Sequence, residues 1–429
     1  MHITRPSRVF TSILAVCLVG LFALAAPQLR ANARSVDTSI SIHTAHPTIS
    51  TNCPAPGTAN AAVMPSIMLG THPNIVYIVN EGTQAQPTFG TLKRYDVVTG
   101  GKVEIVKLAN TTISEAQVSA NGQWILFVVF VGGQAKLQLI RMDGQDLQTL
   151  YCAPIPTGVN PGIALSEVQW SVDQKLVIFV SHPSIYLLNV TNGVLQVELS
   201  FTGGPTLHPR TWLDNTRAYL TLQLPDGPPE SVLLLDTSKG PNQNFQNLPV
   251  VFNAALSTPF CWDFDSSFDG KSLFTSQCTA VNNPIGPGAS VCCGPSVIAN
   301  HSPTGDFSYS YVYVNQAQAF TAVRAVTSNI LLLTVGNTNT NTSQNGVWKV
   351  GIDGSSPLRL TNSGEFNQFT QFPWSNVSRD GTKYALQIIN SSSTGTTYTL
   401  EFDSLSGGAP IVFASITNVQ LATVGWTTM

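Results

Sequence analysis

Short apolar runs alternate along this chain with tight polar turns, and the alternation takes two recurring forms. In one, an apolar strand passes through a small turn, often Ser with Asp-Gly or Asn-Gly, and resumes as a second strand. It reads "VSANGQWILFVVF" from Val118 and "VSRDGTKYALQII" from Val377, with a rougher copy, "DSSFDGKSLFTS", from Asp265. In the other, an apolar strand ends in Asp or Asn, turns on Gly and continues, as in "LKRYDVVTGGKVEIVKL" from Leu92 and "IYLLNVTNGVLQVEL" from Ile185. The turn-entry residues of this second form are Asp96, Asp143, Asn189, Asp236, His301, Asp353 and Asp403, at separations of 47, 46, 47, 65, 52 and 50 residues. In five of the seven copies a Gly follows four residues later, at Gly100, Gly193, Gly240, Gly305 and Gly407. Asp or Asn accepts the backbone amides of its own turn, and Gly supplies the positive φ that closes it.

A period of about 50 residues with four strands per unit marks a propeller blade. The repeat therefore predicts an all-β fold, a β-propeller of seven four-stranded blades, with six or eight as the adjacent counts. One blade is too thin to bury both of its faces, so blades must pack side by side around an axis. The final phrase, "NVQLATVGWTTM", is a first strand with no second strand after it, while "NIVYIV" from Asn74 is a second strand with no first. The C-terminal strand is expected to complete the N-terminal blade and close the ring, which leaves few free edges. Trp170, Trp212 and Trp426 share one slot in the first strands of their units, and Trp262 and Trp374 fall slightly earlier. Packing between blades is their expected role, ahead of ligand stacking.

Composition sharpens this picture. Hydrophobic residues make up 43% of the 429, enough for a large core, but charged residues only 10%, against roughly 25% in an average soluble domain. A net charge of −3 gives no general attraction to nucleic acid or to an anionic membrane surface, so neither is an expected partner. At the N-terminus, Arg5 and Arg8 precede an apolar run of 18 residues, 9–26, and small-residue cleavage patterns follow at Ala23-Leu24-Ala25 and Ala31-Asn32-Ala33. Residues 1–33 read as a signal peptide. The run is also long enough for a short membrane span, so an uncleaved anchor with a cytoplasmic N-terminus is the alternative. Residues 34–66, rich in Ser, Thr, Ala and Pro, read as a linker or loosely held arm, and residues 67–429 as a single propeller domain. The protein is expected to be secreted or extracytoplasmic, monomeric, and membrane-tethered only if the N-terminal segment stays uncleaved.

Cysteine usage agrees with export. Apart from Cys17, six cysteines remain: Cys53, Cys152, Cys261, Cys278, Cys292 and Cys293. An even number in an exported chain suggests disulfides, and the lack of any CxxC pair argues against a thiolate zinc site. If Asp269-Gly270 is the centre of its hairpin, Cys261 and Cys278 are equidistant from it and face each other across antiparallel strands, close enough to bond. Cys292 and Cys293 lie in an insertion, "NNPIGPGASVCCGPS", and either bond each other or staple this loop to Cys53 and Cys152.

The phrases "VSANGQWILFV…LQLIRMDGQDLQTL" and "VWKVGIDGSSPLRLT" resemble the TolB-like, WD-repeat-like propeller pattern, in which "SPDGKKIAF" is followed by "IYVMDADGSNPRRLT". The likeness is strong at blades 2, 6 and 7. It implies the propeller of periplasmic and secreted binding proteins, or the gating domain of prolyl-oligopeptidase-type peptidases. TolB-type propellers usually have six blades, one fewer than the repeats counted here, and no catalytic residue carries over because the repeat motif is structural.

Contiguous chemistry is absent from the sequence. There is no GxSxG elbow, HExxH, Walker-type or GxGxxG signature, and too few residues lie outside the repeats for a hydrolase domain. Asp263, Asp265 and Asp269 form the densest acidic cluster, but the third acid falls late for a calcium loop, so an ordinary strand and Asp-Gly turn is the better reading. His72, His182, His208 and His301 are scattered among apparent loops. No catalytic, cofactor-binding or metal-binding residue is assigned, and no cofactor is expected. The leading expectation is a non-catalytic exported propeller that binds a protein, peptide or glycan through one face or its loops. The rival is a propeller enzyme of lactonase, lyase or glycosidase type, with residues from separate blades converging on the axial channel.

Overall fold

The computed structural model describes residues 49–429 except 84, 156–164, 202–205, 224–228, 254–260, 283–289, 306–307, 316–317, 337–341 and 367–371. Ser119 shows how the first kind of turn closes: its Oγ donates to Asn121 Oδ1 (2.7 Å) and accepts from the Trp124 N–H (3.0 Å). The same device recurs at Ser171 with Asp173, Ser267 with Asp269 and Ser378 with Asp380. In the second kind, Asp96 Oδ1 accepts from the N–H groups of Val98 and Thr99, and Asn189, Asp236 and Asp353 each cap the residue two positions on. Glycine is required here for two reasons. Gly354 has φ 82°, and a Cβ on it would sit 2.0 Å from the Val312 carbonyl oxygen of the preceding blade.

These hairpins build seven consecutive antiparallel sheets. In blades 2 to 6 the first strands are Thr111–Val118, Ser166–Trp170, Thr206–Trp212, Cys261–Ser266 and Phe320–Ala325. Successive first strands touch one another, which places them around the axis. Blade 1 comprises Pro73–Gly82, Pro87–Asp96 and Lys102–Ala109, completed by the C-terminal strand Gln420–Thr428. That strand pairs antiparallel with Pro73–Gly82, setting Trp426 opposite Ile75 and Leu421 opposite Val79. The expected ring closure is thus present. Blade 7 has Lys383–Ser392, Gly395–Ser404 and Ile411–Thr417. Alongside Lys383–Ser392, the single bridges Glu365–Gln387 and Val377–Tyr384 flank a helical turn, Pro373–Asn376.

Apolar side chains of facing blades interlock between the sheets. Trp124, Trp170 and Trp426 are among the largest fully buried side chains, as the packing reading of the tryptophans requires. Several indoles also tie one blade to the backbone of another: Trp212 Nε1–H donates to Gln169 O, Trp426 to Asn376 O and Trp374 to Val118 O. A buried indole usually finds an acceptor for its N–H, and here backbone carbonyls across the seam supply it.

Two local readings change. Residues 49–66, part of the stretch read as a loosely held arm, lie along the seam between blades 2 and 3. Asn60 N–H donates to Leu150 O, Ala62 N–H to Val190 O, and Gln148 clasps the Val63 backbone with both ends of its amide. Cys53 is bonded to Cys152 at the end of blade 2, so neither is free to staple the blade 5 insertion. Within that insertion, Cys292 and Cys293 belong to a strand, Ser290–His301, with Cys292 opposite Ala280. Residues 283–289 at its tip lie outside the described residues. Cys261 and Cys278 are register partners in blade 5; their side chains, and the bond expected between them, lie outside the described residues.

Candidate functional site

Where the axis opens on the face of the first-to-second-strand turns, the turns of blades 5, 6 and 7 converge on a cavity of about 710 Å³. Residues 267–272, 326–328 and 377–381 wall it, together with Pro373 and Trp374, and Ala120 reaches it from blade 2. Its apolar side is aromatic. Phe268, at the tip of the blade 5 turn, is 56% exposed and meets Trp374 edge-to-face at 5.6 Å. Trp374 stacks on Phe372 at 4.5 Å, and the Arg379 guanidinium lies over its ring at 4.6 Å. Pro at the first helical position pre-sets the backbone of the turn that presents Trp374.

Arg379 is held by carbonyls rather than by a carboxylate. It donates to Trp426 O of blade 1 and to Ser119 O and Ala120 O of blade 2. Burial lowers its pKa to about 10, so it stays cationic at neutral pH. Asp380 beside it is turned into its own turn, accepting from Ser378 and Thr382. Lys271 pairs with Asp269 at 3.2 Å. The cavity therefore offers an exposed aromatic tip, an apolar floor and balanced charges at its edge.

Deeper along the axis the first strands carry a belt of linked polar side chains. Glu115 of blade 2 accepts the Glu167 and Val168 N–H groups of blade 3 at 2.9 and 3.0 Å. Glu167 Oε1 meets His208 Nδ1 of blade 4 at 2.6 Å, and His208 Nε2 meets Thr206 Oγ1 at 2.9 Å. Arg210, on the same strand, reaches Asp263 of blade 5 at 3.4 Å. Asp263 in turn pairs with Arg324 of blade 6. Asp263 and Asp265 also accept the N–H groups of Val323 and Ala325, carrying the contact between blades 5 and 6.

Desolvation raises the Glu115 carboxyl to about 7, against the pull of its two N–H donors, and raises Asp265 to about 8. A carboxyl raised in the folded state stabilises it fully below the unfolded pKa of about 4. That stability is lost as pH climbs through the folded value, because the folded chain holds a proton the unfolded chain has released. Melting temperature is expected to fall by a few degrees between pH 6 and pH 9, and to fall less in Glu115→Gln. A flat or rising profile would show that these two carboxyls titrate normally.

The residues singled out in the sequence scatter to different tasks. Asp269 caps its turn, accepting from Ser267 and Lys271, while Asp263 and Asp265 brace blades. His72 contacts Asp96 at 2.9 Å, His182 packs edge-on to Phe201, and His301 is buried against Thr275 with its pKa lowered to about 4 by desolvation. Only His208 joins a multi-residue polar site at the axis. Among the described residues, no group of three or more His, Cys, Asp or Glu is placed to hold a metal ion. Phe268, Trp374 and Arg379 were not singled out for a site; the one sequence signal was an aromatic residue where the repeat otherwise has small or polar turn residues.

No family model matches the chain, and no curated protein is similar to it in sequence. Its fold is similar to that of solved structures at low identity. TolB from Acinetobacter baumannii is 16% identical over 81% of this chain and 82% of its own, with a TM-score of 0.44. The periplasmic gluconolactonase PpgL of Pseudomonas aeruginosa is 13% identical over 82% of this chain and 99% of its own, with a TM-score of 0.46. The C-terminal WD40 domain of Sif2 is 11% identical over 80% and 84%, with a TM-score of 0.43. The chain is a seven-bladed β-propeller. The repeat phrases implied a propeller, and the chain folds as one.

Proposed function

We propose that this protein is an exported propeller that binds a protein partner by taking an apolar side chain of an extended peptide segment into the cavity at the turn face. The observation that carries the reading is the exposed Phe268 ring set against Trp374 at the mouth of a cavity of about 710 Å³. Aromatic side chains half-open at a concave site are what interface centres use as anchors. Trp374 is covered by Phe372 on stacking and by Arg379, so it offers its edge rather than an open face, which suits a side chain better than a sugar ring. Export is supported by the apolar run at residues 9–26 behind Arg5 and Arg8 and by the Cys53–Cys152 bond, since disulfides persist in oxidising compartments.

Selection of random-sequence peptides on the immobilised protein tests the reading. Selected peptides should carry a shared large apolar residue, and Phe268→Ala should weaken them by about 30-fold or more, the ~2 kcal/mol of an interface anchor. Peptides whose binding ignores Phe268, or a glycan array giving the only binders, would overturn it.

A further inference from the structure

The Thr206–His208–Glu167 contact is more than a brace between blades. We propose that it is a nucleophile–base–orienter triad in the axial channel, competent to cleave small carboxylic esters through an acyl-threonine.

Glu167 Oε1 lies 2.6 Å from His208 Nδ1, and His208 Nε2 lies 2.9 Å from Thr206 Oγ1. A carboxylate only accepts, so Nδ1 carries the imidazole proton and Nε2 is left as the acceptor of the Thr206 hydroxyl proton. This is the order of roles that activates a hydroxyl nucleophile. Water and substrate can reach it, for the side chains of His208 and Glu167 are 28% and 29% exposed although their strands are innermost in the fold.

Three further features separate this from a chance contact. Glu167 has φ 56°, a left-handed conformation that a side chain other than Gly rarely adopts, and such strain persists where surrounding structure holds it and clusters at functional sites. The structure that holds it is Glu115, which clamps the N–H groups of Glu167 and Val168. Glu167 Oε2 has no hydrogen-bond partner in the folded chain, and neither does Arg210 Nε. Arg210 follows His208 at a register shift between Pro209 and Thr211 and is 32% exposed. It is the cation nearest in sequence to the triad, and its guanidinium is paired with Asp263.

The chemistry balances with water as the second substrate. Thr206 Oγ1 attacks the ester carbonyl carbon while its proton passes to His208 Nε2. The carbon–oxygen bond to the alcohol breaks as Nε2 returns that proton to the leaving oxygen. Water then attacks the acyl-threonine, giving its proton to Nε2, and the acid leaves as Thr206 recovers its hydroxyl proton. Glu167 orients the imidazole and stabilises the imidazolium.

The test uses the exported chain with p-nitrophenyl acetate and butyrate as substrates and a fluorophosphonate as trap. Wild type should hydrolyse the esters with an initial burst, and peptide mapping should place the fluorophosphonate on Thr206. Thr206→Ala and His208→Asn should lower the rate about 100-fold or more, whereas Thr206→Ser should retain it and still be trapped. Glu167→Gln should slow turnover and shift its pH profile. Melting temperatures of the variants, read alongside, separate lost chemistry from lost folding. Wild-type rates no higher than those of Thr206→Ala, or an adduct on any other residue, would overturn the triad. Peptide binding at Phe268 is untouched by these substitutions, so the two proposals fail independently.

Discussion

Trp426→Ala should lower the unfolding free energy by about 3–5 kcal/mol, as large-to-small changes at fully buried aromatic sites do. Trp426 is completely buried, lies opposite Ile75 in the closing strand and donates its indole N–H to Asn376 O of blade 7. Truncation therefore opens a cavity at the one seam where the ring is closed by residues from opposite ends of the chain. Every other blade is built from one continuous stretch of chain, but blade 1 holds its first strand only by pairing and packing. The loss should appear in denaturant unfolding as a lower midpoint and as earlier hydrogen exchange in Gln420–Thr428 and Pro73–Gly82. If the variant fails to fold, Trp426→Phe should still show a smaller loss localised to the same two strands. A uniform loss over all blades would mean that closure is not the weak point.

Asp263→Ala is expected to cost a similar amount, about 3–5 kcal/mol, through a different mechanism. The Arg324 side chain is only 2% exposed and its carboxylate partner is Asp263, 11% exposed. Removing the carboxylate leaves a buried guanidinium whose remaining carboxyl neighbour, Asp265, is itself pushed toward its neutral form by desolvation, which costs far more than the intact pair contributes. The Val323 N–H also loses an acceptor. Replacing both partners together, Asp263→Leu with Arg324→Met, should recover much of the loss, since an apolar pair of similar volume needs no compensation. Denaturant midpoints of the two singles and the double form the cycle that reads this. A loss under about 1 kcal/mol in Asp263→Ala would mean that channel water already solvates Arg324.

The fold was legible because its determinants are local and repeated. Asp96, Asn189 and Asp236 cap their turns with their own side chains, so each hairpin announces itself within a few residues. Ring closure was legible for the same reason: a first strand without a second and a second without a first can only complete each other. The order of residues 49–66 was not legible because that Ser/Thr/Ala/Pro-rich stretch has no period of its own. Its order comes from Leu150, Val190 and Gln148, which belong to other blades.

The candidate sites were hidden by that same difference. Thr206 and His208 are two positions apart, but the Glu167 that orients them lies in blade 3, and the Glu115 that holds Glu167 lies in blade 2. Phe268, Trp374 and Arg379 meet only because the turns of blades 5 and 7 end at one mouth of the axis. Side-chain alternation and self-capping turns act over a few residues, so sequence alone determined the blades and the closing strand, and put their number at seven with six and eight as the adjacent counts. Which side chains face one another across the axis depends on how the finished blades are arranged around it, and only the tertiary structure decided that.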